Sequence, residues 1–342
     1  MSAADTAYRV IDRVRVGWNR FWFTPAPVTT LTVIRTLLGF TVFCWGLSVL
    51  PDLRTFYFQD GLMPTPSYAD HRLGLLQWFT SDAAVVVVFV AMMLGAVALM
   101  AGRFVRVAAP VVWITLISLE LDNTSVLNAG DNLLRIWAVY FAIFALLTPS
   151  RFLDVPLWGR RGVDGAQPFP VGPTWLLRVM QLQLTVIYPA TVVAKLDGDT
   201  WREGTAAIYA LGLTDFERFW VPDVVRENLV LGNLMTWWTI GLELALPFLL
   251  WTKRTRWAGI ILGIGMHAGF DYTMRLGFFL WAMTMGYLSF VRPDETARPL
   301  RRLAALRWRS PPEVAAPDPP PVEPSAIVGG TPDATAEELV RA

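Results

Sequence analysis

Ala83-Ala84-Val85-Val86-Val87-Val88-Phe89-Val90-Ala91-Met92-Met93-Leu94-Gly95-Ala96-Val97-Ala98-Leu99-Met100-Ala101 runs without a charged or strongly polar side chain. About 20 such residues in a helix cross the roughly 30 Å hydrocarbon core of a bilayer, and strands of soluble sheets are rarely that long. Further apolar stretches near 31–50, 107–121, 133–149, 174–194, 229–251, 257–272 and 275–291 repeat the pattern between polar or Pro/Gly-rich breaks. The 342-residue chain is 54% hydrophobic and 17% charged, where soluble domains have about 25% charged residues, and its mean hydropathy is +0.43. These features predict an all-α, polytopic transmembrane helical bundle of about eight spans over 31–291.

Charge placement orients this bundle. Most of the 29 Lys and Arg fall where an N-in, C-in topology leaves them on the cytoplasmic side. The outer segments hold Arg54, Arg72, Lys195, Arg202, Arg218 and Arg226. The first span begins too far into the chain for a cleaved signal peptide and is expected to remain as an anchor. Residues 1–30 form a cytoplasmic arm, in which Trp18-Asn19-Arg20-Phe21-Trp22-Phe23 reads either as a helix lying in the membrane interface or as a short tether. Residues 292–342, rich in Pro, Ala and acid, read as a disordered cytoplasmic tail.

The same composition excludes several functions. A net charge of +1 gives no field for nucleic acid. Cys44 alone cannot close an intramolecular disulfide, and with only His71 and His267 no metal-ligand cluster can be drawn. No P-loop, GxGxxG, GxSxG or HExxH pattern is present.

Ionisable groups inside spans cost about 2.5–3.5 kcal/mol each on insertion scales, so they mark a cavity or a structural bridge. Arg35, Glu120, Arg135, Arg178, Glu243, His267 and Asp271 are such groups. Arg35, Arg135, Arg178 and Glu243 are expected to be structural, with Glu243 meeting an Arg from another helix. Three polar clusters fall at the outer face: 121–132, 187–204 and 265–272. Their convergence predicts one cavity. A lysine at the end of an apolar span is desolvated, which favours its neutral form, so Lys195 is either a base or a snorkelling cation paired with Asp197 or Asp199. His267 stands one helical turn before Asp271, as an oriented pair or as a structural histidine.

Together these segments resemble the membrane domain of the vitamin K-dependent γ-glutamyl carboxylase family, whose bacterial relatives are the horizontally transferred transmembrane (HTTM) domain proteins. The family's Leu-Asp-x-Thr-Ser stretch is matched by Leu121-Asp122-Asn123-Thr124-Ser125. Its Gln…Tyr…Lys-Leu-Asp…Trp-x-Glu-Gly stretch is matched by Gln183, Tyr188, Lys195-Leu196-Asp197 and Trp201-Arg202-Glu203-Gly204, and a third match is His267 with Gly277-Phe278-Phe279. The resemblance implies a multi-pass protein of the bacterial inner membrane with quinone-dependent chemistry, a carbon-carbon lyase and epoxidase. Lys195 would be the catalytic base toward reduced vitamin K or menaquinol, O2 would generate a stronger base, and a peptide glutamate would lose its γ-proton and take up CO2. His267 would orient the quinone, while Asn128, Asp131, Gln183, Tyr188, Asp197, Trp201 and Glu203 would form the pocket, without a metal. Implied partners are membrane lipid and a secreted peptide. The chain departs from the pattern at Asn128-Ala129-Gly130-Asp131, where the animal enzymes place a histidine. Two alternatives therefore stand: a non-catalytic membrane partner or maturation factor for a secreted peptide, with Lys195 and Asp197 as a structural pair, and a small-molecule transporter.

Overall fold

The computed structural model describes residues 3–62, 74–124, 127–160 and 168–307. His71, Arg72, the Ser125-Val126 pair and the tail from 308 onward lie outside the described residues. Helices follow one another as α1 (Ala3–Phe23), α2 (Thr29–Val49), α3 (Leu53–Tyr57), α4 (Asp82–Ala101), α5 (Val105–Asp122), α6 (Ala129–Leu147), α7 (Ser150–Leu153) and α8 (Trp175–Leu196). They continue as α9 (Asp199–Arg202), α10 (Ala206–Gly212), α11 (Asp223–Arg226), α12 (Leu229–Trp251), α13 (Arg256–Thr273), α14 (Phe279–Leu288) and α15 (Pro293–Arg307). Two-residue strands, β1 (Ala26–Pro27) and β2 (Val171–Gly172), pair antiparallel.

Every apolar stretch expected to span is helical. Among the described residues, five helices are long and apolar enough to cross a membrane: Thr29–Tyr57, which joins α2 to α3, and α4, α6, α8 and α12. Helices α5 and α13 have 18 residues each, but Glu120 and Asp122 in the one, and Arg256 and Asp271 in the other, lower their hydropathy. Helix α14 has only 10 residues. The chain is thus a helical membrane-spanning protein in which five spans stand on length and composition alone.

Local chemistry sets the helix ends. The Ser81 hydroxyl accepts from the Ala84 N–H at 3.2 Å and starts α4, and Gly102, with φ +65°, ends it. A Cβ on Gly102 would lie 2.7 Å from the Arg35 guanidinium. Arg35 is buried, its Nη1 donating to the Leu153 carbonyl at 2.7 Å. Helix α6 begins with a capping box: Asn128 Oδ1 accepts from the Gly130 N–H at 2.7 Å, and Asp131 Oδ2 accepts from the Asn128 N–H at 2.9 Å.

Helices α2, α4, α5 and α6 pack as successive neighbours, α8, α12 and α13 pack in a second set, and α14 touches α2, α6, α8 and α13. Inside lipid, apolar area does not drive helices together, so close backbone approach at small residues matters more. A Cβ on Gly39 of α2 would sit 2.7 Å from the Ala96 carbonyl oxygen of α4. Hydrogen bonds fix α14: Trp137 Nε1 donates to the Ala282 carbonyl at 2.8 Å, and Gln181 Nε2 donates to the Ser289 carbonyl, just past the helix, at 2.7 Å.

The segment after 292 differs from the expected disorder, because its first part folds as α15. Pro293 opens the helix and Asp294 and Glu295 occupy its first turn, where they complement the helix dipole. Ala297 and Leu300 are buried, Glu295 pairs with Arg256 at 2.5 Å, and the Thr29 hydroxyl donates to the Pro293 carbonyl at 2.6 Å. A polar composition hides this helix because two apolar residues suffice to seat it.

Gly39→Val should destabilise the protein by about 1–3 kcal/mol through overpacking against Ala96. A lowered Tm in detergent checks this, with Gly241→Ala, where a Cβ meets nothing within 4 Å, leaving Tm unchanged or raised.

Candidate functional site

Tyr188, Thr191 and Lys195 follow one another on α8 at helical spacing and face Glu243 of α12. Between these helices, α6, α10 and α13 opens a cavity of about 670 Å³. It is built from the C-terminal halves of α8 and α13 and the N-terminal half of α6, with Met235 to Glu243 of α12. Ala206, Ala207, Ala210 and Leu211 of the short helix α10 form one side, and the Ala207 N–H donates to the Thr236 hydroxyl at 3.0 Å. Pro189, inside α8, has no N–H to give to the Thr185 carbonyl, so the ladder is interrupted beside the cavity.

The electrostatic centre is an ion pair. Lys195 Nζ donates to Glu243 Oε1, the Thr191 hydroxyl lies 3.4 Å from Glu243 Oε2, and the Trp201 ring stands 5.0 Å from Nζ. The lysine side chain is 21% exposed and the glutamate 4%. Glu243 therefore meets a lysine rather than the expected arginine, and Lys195 meets neither Asp197 nor Asp199. Asp199 pairs with Arg202, and Asp197 is exposed. An amine directed into apolar surroundings needs the carboxylate that is buried there with it.

A second polar group lies deeper. The Tyr188 hydroxyl contacts His267 Nε2 at 3.1 Å and also hydrogen-bonds the Tyr287 hydroxyl. His267 is 2% exposed, and its Nδ1 has no partner among the described residues. The expected His267–Asp271 pair does not form, since Asp271 pairs with Arg218 from the 213–222 loop. Phe270 and Phe279 turn their edges to the imidazole at 5.8 and 5.1 Å between ring centres.

The cavity thus brings together Lys195, His267, Gln183, Tyr188, Trp201 and Glu243. Gln183 accepts from the Tyr140 hydroxyl at 2.6 Å, tying α6 to α8. Asn128 and Asp131 stay engaged in their cap, and Ala129 and Asn132 reach the cavity from that turn instead. Glu203 is exposed. Arg135 pairs with the fully buried Glu120 at 3.3 Å, and Arg178 donates to the Phe21 carbonyl and to Gln181. Sequence reasoning missed Thr191, Asn132 and Tyr287. The first two lie in polar stretches already singled out, whereas Tyr287 sits in an apolar run that gives no signal.

The HTTM domain model matches residues 23–294, which include every cavity-lining residue. The chain belongs to the HTTM family. This HTTM protein is 21% identical over 210 residues to an uncharacterized protein, YitO, of Bacillus subtilis (strain 168). The match covers 59% of this chain and 66% of YitO, just under two thirds of that relative. No solved structure matches it.

Glu243→Ala should leave the Lys195 ammonium unpaired and destabilise the fold by about 3 kcal/mol, whereas Lys195→Met combined with Glu243→Leu should recover most of the loss. Thermal unfolding of these two purified variants against wild type checks this, and a double variant no more stable than Glu243→Ala would show two independent contacts.

Proposed function

We propose that this HTTM protein is a carboxylase-like enzyme of the bacterial inner membrane, using a reduced quinone, O2 and CO2 to modify a peptide glutamate at the outer face. The observation that carries the reading is the Lys195–Glu243 pair facing a cavity with largely apolar walls. Orientation is supported by charge. Arg103, Arg106, Arg151, Arg160, Lys253 and Arg254 lie at the helix ends opposite those that form the cavity, so the positive-inside rule assigns the cavity to the outer side, with both termini inside.

The residues fit a quinone. A volume of about 670 Å³ suits a small-molecule site, Phe270, Phe279 and Met283 offer apolar walls, and His267 lines the site with its Nε2 against the Tyr188 hydroxyl. A bound reduced quinone, vitamin K or menaquinol, supplies the electrons that O2 accepts. Lys195 can hand its ammonium proton to Glu243, which removes two charges from apolar surroundings, and its neutral Nζ then accepts a hydroxyl proton. Trp201 holds the ammonium form through its ring face. Helix α10 and the apolar walls leave few polar groups to compete for that proton. Tyr188 orients the imidazole through Nε2.

A second reading is favoured by the cap that engages Asn128 and Asp131, where the resemblance to the animal enzymes implies a histidine that this chain does not have. In it the protein binds a secreted peptide or lipid without catalysis, and Lys195 and Glu243 hold α8 to α12.

Membranes carrying wild-type protein, given reduced vitamin K or menaquinol, O2 and glutamate peptides, should form quinone epoxide measurable by mass spectrometry. Lys195→Ala should lower its formation by about a hundredfold or more while leaving insertion intact. No epoxide from folded wild type, with a known carboxylase active in parallel, would remove the catalytic reading and leave the binding one.

A further inference from the structure

Helix α1 leaves the bundle with an apolar stripe that no part of the described protein covers. Tyr8, Ile11, Val14 and Trp18 follow one another at three- and four-residue spacing and are between 59% and 74% exposed. Arg9, Arg13 and Arg20 lie on the other face, Arg15 borders the stripe beside Ile11 and pairs with Asp12, and every residue from 8 to 20 is exposed. At 21 residues the helix is about 31 Å long, but its four arginines and low apolar content keep it out of the set of helices able to span.

The end of α1 is fixed to the bundle. Phe21 stacks on Trp251 at 6.0 Å, Arg178 covers the Phe21 ring at 4.9 Å, and Arg178 Nε donates to the Phe21 carbonyl at 3.1 Å. Trp251 closes α12 and Arg178 opens α8, so α1 departs from the helix ends that also carry Arg254 and Arg256. Trp18 and Trp22, 5.6 Å apart, lie next to this junction. A helix tethered where two membrane helices emerge, with tryptophans at the junction, three of its four arginines on one face and an apolar stripe on the other, matches a bilayer surface in shape and charge.

We propose that α1 lies on an anionic phospholipid surface, with Tyr8, Ile11, Val14 and Trp18 in the headgroup–acyl boundary and Arg9, Arg13 and Arg20 on the phosphates. The occupant of the stripe is lipid. The site is independent of the cavity and of its chemistry.

The test uses the full chain in a Cys44→Ser background, with Val14→Cys or Arg13→Cys carrying an environment-sensitive fluorophore, reconstituted into phosphatidylcholine vesicles with or without phosphatidylglycerol. Quenching by a lipid-borne quencher should be several-fold stronger at position 14 than at 13, and stronger with phosphatidylglycerol. Arg9→Gln with Arg20→Gln should remove the dependence on phosphatidylglycerol. Equal access of aqueous iodide to both positions in both vesicle types would overturn the proposal. So would protection at position 14 without lipid quenching, accompanied by energy transfer between labelled copies, which would make a second copy of the chain the occupant.

Discussion

Lys195 and Glu243 form an ion pair that joins α8 to α12 at the level where the cavity opens. Helices in hydrocarbon gain little from burying apolar area against one another, so polar contacts and close backbone approach decide which faces meet. The ion pair supplies the first kind of restraint, and Gly39 against Ala96 supplies the second on the other side of the molecule. Between them, α14 is held to α6 by the hydrogen bond from Trp137 and to α8 by those from Gln181 and between the Tyr188 and Tyr287 hydroxyls.

The cavity follows from this distribution. Packing is tight among α2, α4 and α5, where Leu99, Val112, Leu116 and Met92 are fully buried. Around Lys195 the walls are alanines, threonines and the short α10, and small side chains leave space that longer ones would fill. Polar groups reach that space from α8, α12 and α13, so a ligand there meets a cation, a carboxylate and an imidazole within one apolar enclosure.

Much of this was readable in the chain. Apolar length announced the helices, because a stretch such as 83–101 has no alternative home, and polar residues in apolar surroundings announced Lys195, His267, Tyr188 and Trp201 as members of one region, to which the family resemblance added Gln183. What could not be read was partnership. Whether Glu243 meets Arg or Lys, and whether His267 turns to Asp271 or to Tyr188, depends on which helices face each other, and hydropathy carries no such information. Asn128 and Asp131 looked like pocket residues because they are polar at a helix start, which is also what a capping box looks like. Helices α10 and α15 escaped notice because they are short and seated by few apolar side chains.

The order of synthesis sets a condition on assembly. Helix α14, which touches α2, α6, α8 and α13, is the last of the apolar helices to leave the ribosome. Until it arrives, Trp137, Gln181 and Tyr188 lack the partners that Ala282, Ser289 and Tyr287 later provide. The nascent bundle therefore holds a slot lined with unmatched donors in its middle. A chain stopped before residue 279 would expose that slot to other helices in the membrane, which makes the closing helix also the one that ends the protein's availability to wrong neighbours.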